Sequence, residues 1–313
     1  MIIVTGSLAF DHIMDFPGRF SEHILPEKIH ILNVSFLVDT LKRQRGGVAG
    51  NIAHNLALLG ERPVILAAAG EDFQEYSKFL SAEGIDLSHV RIIPGDYTAS
   101  AFITTDLADN QITGFYPGAM GQADLLSLKD FDPKKIELVL IAADKPSVMV
   151  KYSRECQELG IPYIFDPSQQ IVRLSNEELR IGIQGAKVLI GNDYEIQLIL
   201  NRFKATEEDL LKQVTFLIST LGEKGSHIHT RYGVVEIPIA KPNEITDPTG
   251  AGDAYRAGII KGMIHNWPLE VMGRVAALSA VYAIESYGAQ EHRYTKSEFV
   301  KRYQENFGAE IEL

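Results

Sequence analysis

A single cysteine, Cys156, occurs among the 313 residues, so no intrachain disulfide can form and a reducing, cytoplasmic setting is expected. Cys156 falls in a helical stretch and reads as a packing residue. Basic excess is also missing: 30 Lys and Arg stand against 41 Asp and Glu, a formal net charge of −11. A nucleic-acid or membrane-surface binder needs a basic face, so neither partner is expected. If the ligand carries phosphates, they must be held locally, by backbone N–H groups, a metal or a few placed cations. No run approaches the roughly 20 apolar residues of a membrane span. The opening Met1-Ile2-Ile3-Val4-Thr5-Gly6 lacks the charged flank and long apolar stretch of a signal peptide. Neither the P-loop pattern nor Gly-x-Gly-x-x-Gly after the first strand is found, which weakens those two nucleotide-binding readings. Internal repeats and low-complexity linkers are absent too.

What is there is ordinary globular composition, 45% hydrophobic and 23% charged. From about Gly46 onward, short β-type runs alternate with helical stretches that stop at glycine. Helices are expected at Gly50–Leu59, Phe73–Ala82, Val148–Leu159, Glu177–Gln184 and Tyr194–Leu200. Strands are expected at Pro63–Ala69, Leu138–Ala142, Tyr163–Phe165, Lys187–Ile190 and Thr215–Thr220. A hairpin across Ser226–Ile239 turns at Arg231-Tyr232-Gly233. Three helices close the chain, at Gly252–His265, Leu269–Ser286 and Ser297–Asn306. This alternation implies an α/β fold with a mainly parallel, helix-covered sheet.

Two segments break the rhythm. Residues 12–45 carry β-rich stretches, notably Ile29–Val38, without a long helix. Residues 94–120 hold a hairpin of Thr98–Thr105 and Gln111–Tyr116. Both are aromatic in places (Phe16, Phe20, Phe36, Phe102, Phe115, Tyr116) and read together as a small β-sheet lid. The core is then 1–11, 46–93 and 121–313. Ligands of open α/β sheets sit at the carboxyl ends of the strands. Here those ends run into Asp144, Asp166-Pro167-Ser168-Gln169-Gln170, Gly191-Asn192 and Thr220-Leu221-Gly222, so polar groups gather on one rim.

The segment richest in chemistry is Asp247-Pro248-Thr249-Gly250-Ala251-Gly252-Asp253, which opens a helix. Gly250, Ala251 and Gly252 are small enough for their N–H groups to converge on an anion at a helix N-terminus. Such a nest can hold the charge of a phosphoryl group in transit. Asp253, in the first helical turn, can accept the proton of an attacking hydroxyl, and the helix dipole should keep it ionised. The same residues would also serve as a plain helix cap. Gly46-Gly47-Val48-Ala49-Gly50-Asn51 forms a second such segment. Its glycines permit close backbone approach to a polyhydroxylated ligand, and Asn51 offers a donor and an acceptor. A flexible turn before a helix fits it equally.

Together the two segments resemble both signatures of the PfkB, or ribokinase-like, family of carbohydrate and nucleoside kinases. The first continues through Ala53 and Gly60 to Gly70, the second from Asp247 to Ala257-Gly258. Asn192-Asp193-Tyr194-Glu195 and Thr220-Leu221-Gly222-Glu223-Lys224-Gly225 are similar to two further family elements, so the resemblance spans essentially the whole chain. A finer resemblance, to bacterial adenosine kinases, rests on Gly6-Ser7, Asp11-His12, the stretches Phe16–Glu22 and Ser35–Asp39, Phe115–Met120 and Asp166–Gln170.

The resemblance implies a three-layer ribokinase-like fold and ATP-dependent phosphorylation of the 5′-hydroxyl of adenosine, Asp253 being the general base and Gly250–Gly252 the anion hole. A ribokinase- or fructokinase-type sugar kinase or a broad-specificity nucleoside kinase is the alternative. Asp11, Gly47 and Asn51 would bind ribose hydroxyls; Ser7, Ser35, Gln169 and Gln170 would read the base or the ribose edge. Phe102 and Phe115 would stack on the purine, though packing of the small sheet would also explain them. Asn192 and Glu195 would hold Mg²⁺ through waters, although Glu195 would also pair with its own helix dipole. Thr220, Gly222 and Gly225 would line the ATP side, with Ala280 or Ala283 near the adenine. A monovalent cation, K⁺, would draw oxygens from Asp247, Thr249 and the turn around Gly288. The lid would close over the substrate, and lids of this family often pair, which implies a homodimer.

Overall fold

The computed structural model describes residues 1–24, 30–31 and 33–313. Among these, two sheets form from β1 (Ile2–Thr5), β2 (Ala9–Asp15), β3 (Thr40–Gly46), β4 (Val64–Gly70), β5 (Val90–Ile93), β6 (Ala99–Thr105), β7 (Gln111–Tyr116), β8 (Leu138–Ile141), β9 (Tyr163–Phe165), β10 (Val188–Asn192), β11 (Phe216–Thr220), β12 (Ser226–Thr230) and β13 (Gly233–Ile237). The larger runs β13-β12-β11-β10-β9-β8-β1-β4-β5. It is parallel from β11 to β5 and antiparallel only at its β11-β12-β13 edge.

The helices are α1 (Phe20–His23), α2 (Val48–Leu58), α3 (Gln74–Ala82), α4 (Pro146–Leu159), α5 (Asn176–Ile183), α6 (Asp193–Phe203), α7 (Glu207–Leu211), α8 (Ala251–Ile264), α9 (Leu269–Ile284) and α10 (Lys296–Phe307). Because strand side chains alternate between faces, one strand feeds two cores. Ile2 and Val4 join a core with residues of α2, α3, α8, α9 and α10, whereas Ile3 joins the opposite core with α4, α5, α6 and α7. Burying one Val, Leu or Ile is worth roughly 1.5–3 kcal/mol, against about 1 kcal/mol for a helix cap. The two cores therefore hold the layers, and the caps set where helices begin. Ser175 with Glu178 and Thr295 with Glu298 make reciprocal capping boxes at α5 and α10. Cys156 is buried on α4, and no helix among the described residues is long and apolar enough to cross a membrane.

The smaller sheet has order β3-β2-β6-β7, with β2 and β6 parallel and the other pairs antiparallel. Asp106 ties its hairpin tip to α1, accepting from the N–H groups of Ala108, Asn110 and Phe20 at 2.9 Å each. Phe16, Phe20 and Phe36 cluster beneath, with ring centroids 4.9 to 5.6 Å apart. One expectation is corrected. Residues 33–38 form no strand, and residues 29 and 32 lie outside the described set. The strand of this region is instead β3, whose sequence Thr-Leu-Lys-Arg-Gln-Arg-Gly carries no apolar alternation because it is a mostly exposed edge. β5, an edge of the large sheet, was likewise not foreseen. β2 starts at Ala9, so Asp11 stands within the small sheet.

Candidate active site

The carboxyl ends of the parallel strands and the N-termini of α2 and α8 converge on one cleft. Gly250 caps α8 in the left-handed region at φ 83°. A Cβ added there would fall 2.7 Å from the Cβ of Ala289, so only glycine lets the 288–290 turn close against this loop. The first N–H groups of a helix lack intrahelical acceptors. Ala251 donates weakly to Pro248 O at 3.3 Å, whereas among the described residues no backbone acceptor faces the N–H groups of Gly250, Gly252 and Asp253. The amides open to an anion are thus these three, with Ala251 partly committed.

Asp253 faces the second motif. Its Oδ2 accepts from Asn51 Nδ2 at 2.8 Å, and Asn51 Oδ1 in turn accepts from Gln290 Nε2 at 2.7 Å. Burial pushes the Asp253 carboxyl up to about 6, overcoming the opposing pull of Arg256 and the Asn51 hydrogen bond. Desolvation is the largest influence on this carboxyl, which a value of about 6 still leaves mostly ionised at pH 7. That is a useful value for a base, ionised at pH 7 yet proton-seeking.

Asn51 is held by a tight crossing of backbones. Gly47, at φ 85°, caps α2, and a Cβ there would lie 2.5 Å from Ser7 O and 2.6 Å from Ala9 N. Ser7 Oγ accepts from Val48 N at 3.3 Å. Asp11 stands beside this junction: a Cβ on Gly46 would come within 2.5 Å of its Oδ2, and burial raises its carboxyl to about 6.

The small sheet presents a defined row to the same cleft. Asp11 is in register with Gln44 and with Ala101, which is in register with Phe115. Gln44 meets the Gly288 turn, so this face looks toward the main body. Phe102 pairs with Gly114 and with His12, on whose ring it stacks at 4.7 Å. Phe102 and Phe115 therefore point to opposite faces, and no flat ligand can lie between them. Of the two, Phe115 shares the face of Asp11. Ser35 is exposed in the segment before β3.

Below Asp253, Arg256 is buried and forms a two-pronged ion pair with Asp166, Nη2 donating to Oδ1 at 2.8 Å and Nε to Oδ2. Its Nη1 donates to Gly252 O at 3.0 Å. Burial opposes its charge, but Asp166, Asp253 and Glu195 outweigh that and hold the guanidinium protonated. Asp166 opens the Pro167–Gln170 loop. Gln169 is exposed there, accepting from Ser168 Oγ at 2.7 Å, while Gln170 is buried with its Oε1 unpartnered. Asn192 and Glu195 cap α6 reciprocally, each bond 2.8 Å. Burial raises the Glu195 carboxyl, and its Oε1 meets Ser168 Oγ only at 3.4 Å.

On the other side of the α8 start lies a mostly apolar cavity of about 490 Å³. Thr220, Gly222, Gly225 and Ala280 line it with Ala251, Gly252, Tyr255 and Ile284. Ala283 does not; it is fully buried in the protein interior, one position away from the lining side of α9. Asn192 borders the cavity through Thr220, its neighbour in register. Both oxygens of Asp247 accept backbone N–H groups, from Thr249 at 2.9 Å and from Gly288 at 3.0 Å, which fastens the two loops together.

An apolar slot for a flat group, an amide nest and a carboxylate poised against a polar cleft thus meet at the start of α8. The sequence profile of pfkB family carbohydrate kinases matches residues 6–296. The chain belongs to this family. Among solved structures, it is similar to a nucleoside kinase of Burkholderia thailandensis in complex with inosine, with 38% identity, 99% of each chain covered and a TM-score of 0.89. The nucleoside kinase of Methanocaldococcus jannaschii is 31% identical over 97% of each sequence, and its crystal structure superposes with a TM-score of 0.88. That of Methanothermobacter thermautotrophicus is 30% identical over 99% of this chain and 97% of its own. As a pfkB kinase, the protein is a phosphotransferase with a hydroxyl group as acceptor.

Residues that motif reading passed over complete this kinase site. Arg256 follows Asp253 by three positions in the same helix and so lies on its face, which is a usable signal. Gln290 and Tyr76 gave none, because only the fold brings them to Asn51.

Proposed function

We propose that this kinase transfers the γ-phosphoryl group of ATP to the 5′-hydroxyl of a nucleoside, with adenosine as the first substrate to test. The observation that carries the reading is the position of Asp253. Its neighbours Ala251 and Gly252 line the apolar cavity, while its own carboxylate faces Asn51 in the polar cleft. With the ribose hydroxyls held by Asp11, Gly47 and Asn51, the 5′-hydroxyl would attack the terminal phosphorus as Asp253 takes its proton. The bond to the leaving oxygen of ADP breaks as the new P–O bond forms. The amides of Gly250, Gly252 and Asp253 receive the charge spread over the transferring group.

Glu195 and Asn192 fit Mg²⁺ held through water, since Glu195 Oε1 is only loosely engaged and Asn192 is in register with Thr220, which lines the cavity. When bound, the ion neutralises phosphate charge. K⁺ beside the Asp247 loop is tested by exchanging it for Na⁺ at constant ionic strength.

Two observations favour a broader nucleoside range. Of Phe102 and Phe115 only the latter shares the face of Asp11, so the two do not clamp one base between them, and the Burkholderia relative is seen in complex with inosine. ADP release measured with adenosine, inosine, cytidine, ribose and fructose decides between the readings. Comparable rates with adenosine and inosine support broad specificity. Best turnover on a free pentose or hexose overturns the nucleoside assignment.

A further inference from the structure

We infer that Gln290 is a positioning residue for phosphoryl transfer, fixing the Asn51 amide so that its N–H end faces Asp253. The inference rests on Asp253 being the base. Gln290 is 1% exposed and lies 239 residues from Asn51 in sequence. Its Nε2 reaches both Asn51 Oδ1 at 2.7 Å and the Tyr76 hydroxyl at 2.5 Å; that hydroxyl lies 2.9 Å from Gly46 O.

The direction of this chain is forced. Gly46 O can only accept, so the single Tyr76 proton goes to it. The Tyr76 oxygen is then an acceptor and requires an N–H from Gln290. The other Gln290 N–H goes to Asn51 Oδ1, which leaves Asn51 Nδ2 for Asp253. Reversing either amide would set two acceptors against each other in a buried place, a costly arrangement. The orientation is kept although Gln290 Oε1 finds no partner. A carbonyl at the base of the small sheet thereby dictates which end of Asn51 the catalytic carboxylate sees. The same turn touches the site twice more, through Gly288 N on Asp247 and Ala289 against Gly250.

The charges near Asp253 are Arg256 on its own helix and Asp166 from the end of β9, with Glu195 beyond Arg256. Those near Tyr76 are Arg45, Asp11 and Glu83. Gln290 hydrogen-bonds to none of them through its side chain, so a change at Gln290 reaches Asp253 by way of Asn51.

The test is Gln290→Met, which keeps the volume and removes the amide. Turnover on the plateau should fall about tenfold because the base is no longer aligned. The acid limb of kcat against pH should rise by about one unit as the carboxylate loses a fixed donor. KM for ATP should stay within about twofold, because the cavity is untouched. Tyr76→Phe should move the acid limb in the same direction by less, and should add nothing in the Met background. An unmoved acid limb, or equal effects of Tyr76→Phe in both backgrounds, overturns the inference. If the Met variant does not fold, Gln290→Asn, which withdraws the amide by one methylene, carries the same expectation and the same refutation. Asp253→Asn separates the two readings. If it retains turnover, the base assignment fails; if it is inactive while the Gln290 variants keep the wild-type acid limb, only the role of Gln290 fails.

Discussion

Asn51 and Asp253 lie 202 residues apart in the chain, yet the amide of one donates to the carboxylate of the other at 2.8 Å. This bond joins the starts of α2 and α8, so the two glycine-rich segments form one site rather than two caps. The glycines bring backbone close, and the pair supplies a proton acceptor with a fixed orientation. The cost is a carboxylate held away from water.

That cost appears in the pH dependence of turnover. As the proposed base Asp253 would act only when ionised, and its carboxyl is raised to about 6 by burial. Turnover should therefore be flat above pH 7 and fall about tenfold per unit well below pH 6. Asp253→Asn should fold, bind nucleotide and lose about 10² to 10⁴ in turnover, the range for removing a general base. A variant with near-normal kcat would remove the carboxylate from the chemistry.

The two lid aromatics should behave differently. Phe115 shares a face with Asp11, whereas Phe102 stacks on His12 on the other face. Phe115→Ala should raise KM for the nucleoside by about tenfold, on the scale of one lost base–aromatic contact. Phe102→Ala should leave it within about twofold, the ring being on the wrong side to touch a ligand beside Asp11. Equal effects on KM would mean that the lid rearranges on binding.

Arg256 and Asp166 form a buried pair whose members are not independently removable. Arg256→Met strands the Asp166 carboxylate and should destabilise the fold by about 3–5 kcal/mol, read from the urea midpoint. Arg256→Met with Asp166→Leu should recover much of that stability, because two apolar side chains replace two charges. Turnover should not return, since Asp253 would still lack its neighbouring cation. A double variant as active as wild type would make the pair purely structural.

The legibility of this site tracks how local each feature is. Asp253 and its amide nest occupy consecutive positions at a helix start, so the motif alone points to the proposed chemistry. The alternation of β-runs with glycine-stopped helices gives the layers, because the central parallel strands β1, β4, β8 and β9 are buried on both faces. β3 escapes because an exposed polar edge strand has no apolar period to detect. The pairing of Asn51 with Gln290 escapes for a different reason: no spacing rule links residues 239 apart. Parity alone separates Phe102 from Phe115. Residues directly opposed across this hairpin share parity, so an even and an odd position cannot lie on one face.

Asp144 offers a test in which stability and function pull apart. It sits at the carboxyl end of β8, 1% exposed, with the N–H of Lys145 donating to its Oδ1 at 2.7 Å. Burial raises its carboxyl from 3.8 to about 7. The folded state thus binds this proton more tightly than the unfolded chain does, and its stabilising effect is complete below pH 4. Stability is then lost as pH rises from about 4 to about 7, where the unfolded chain ionises freely and the folded chain cannot. Asp144→Asn removes the titration but keeps the acceptor for Lys145 N. Relative to wild type it should gain on the order of 1–3 kcal/mol at pH 8 and almost nothing at pH 4. Denaturation midpoints at the two pH values read this directly. A gain that is equal at both would trace to packing, and the buried charge would then not be what limits the fold at neutral pH.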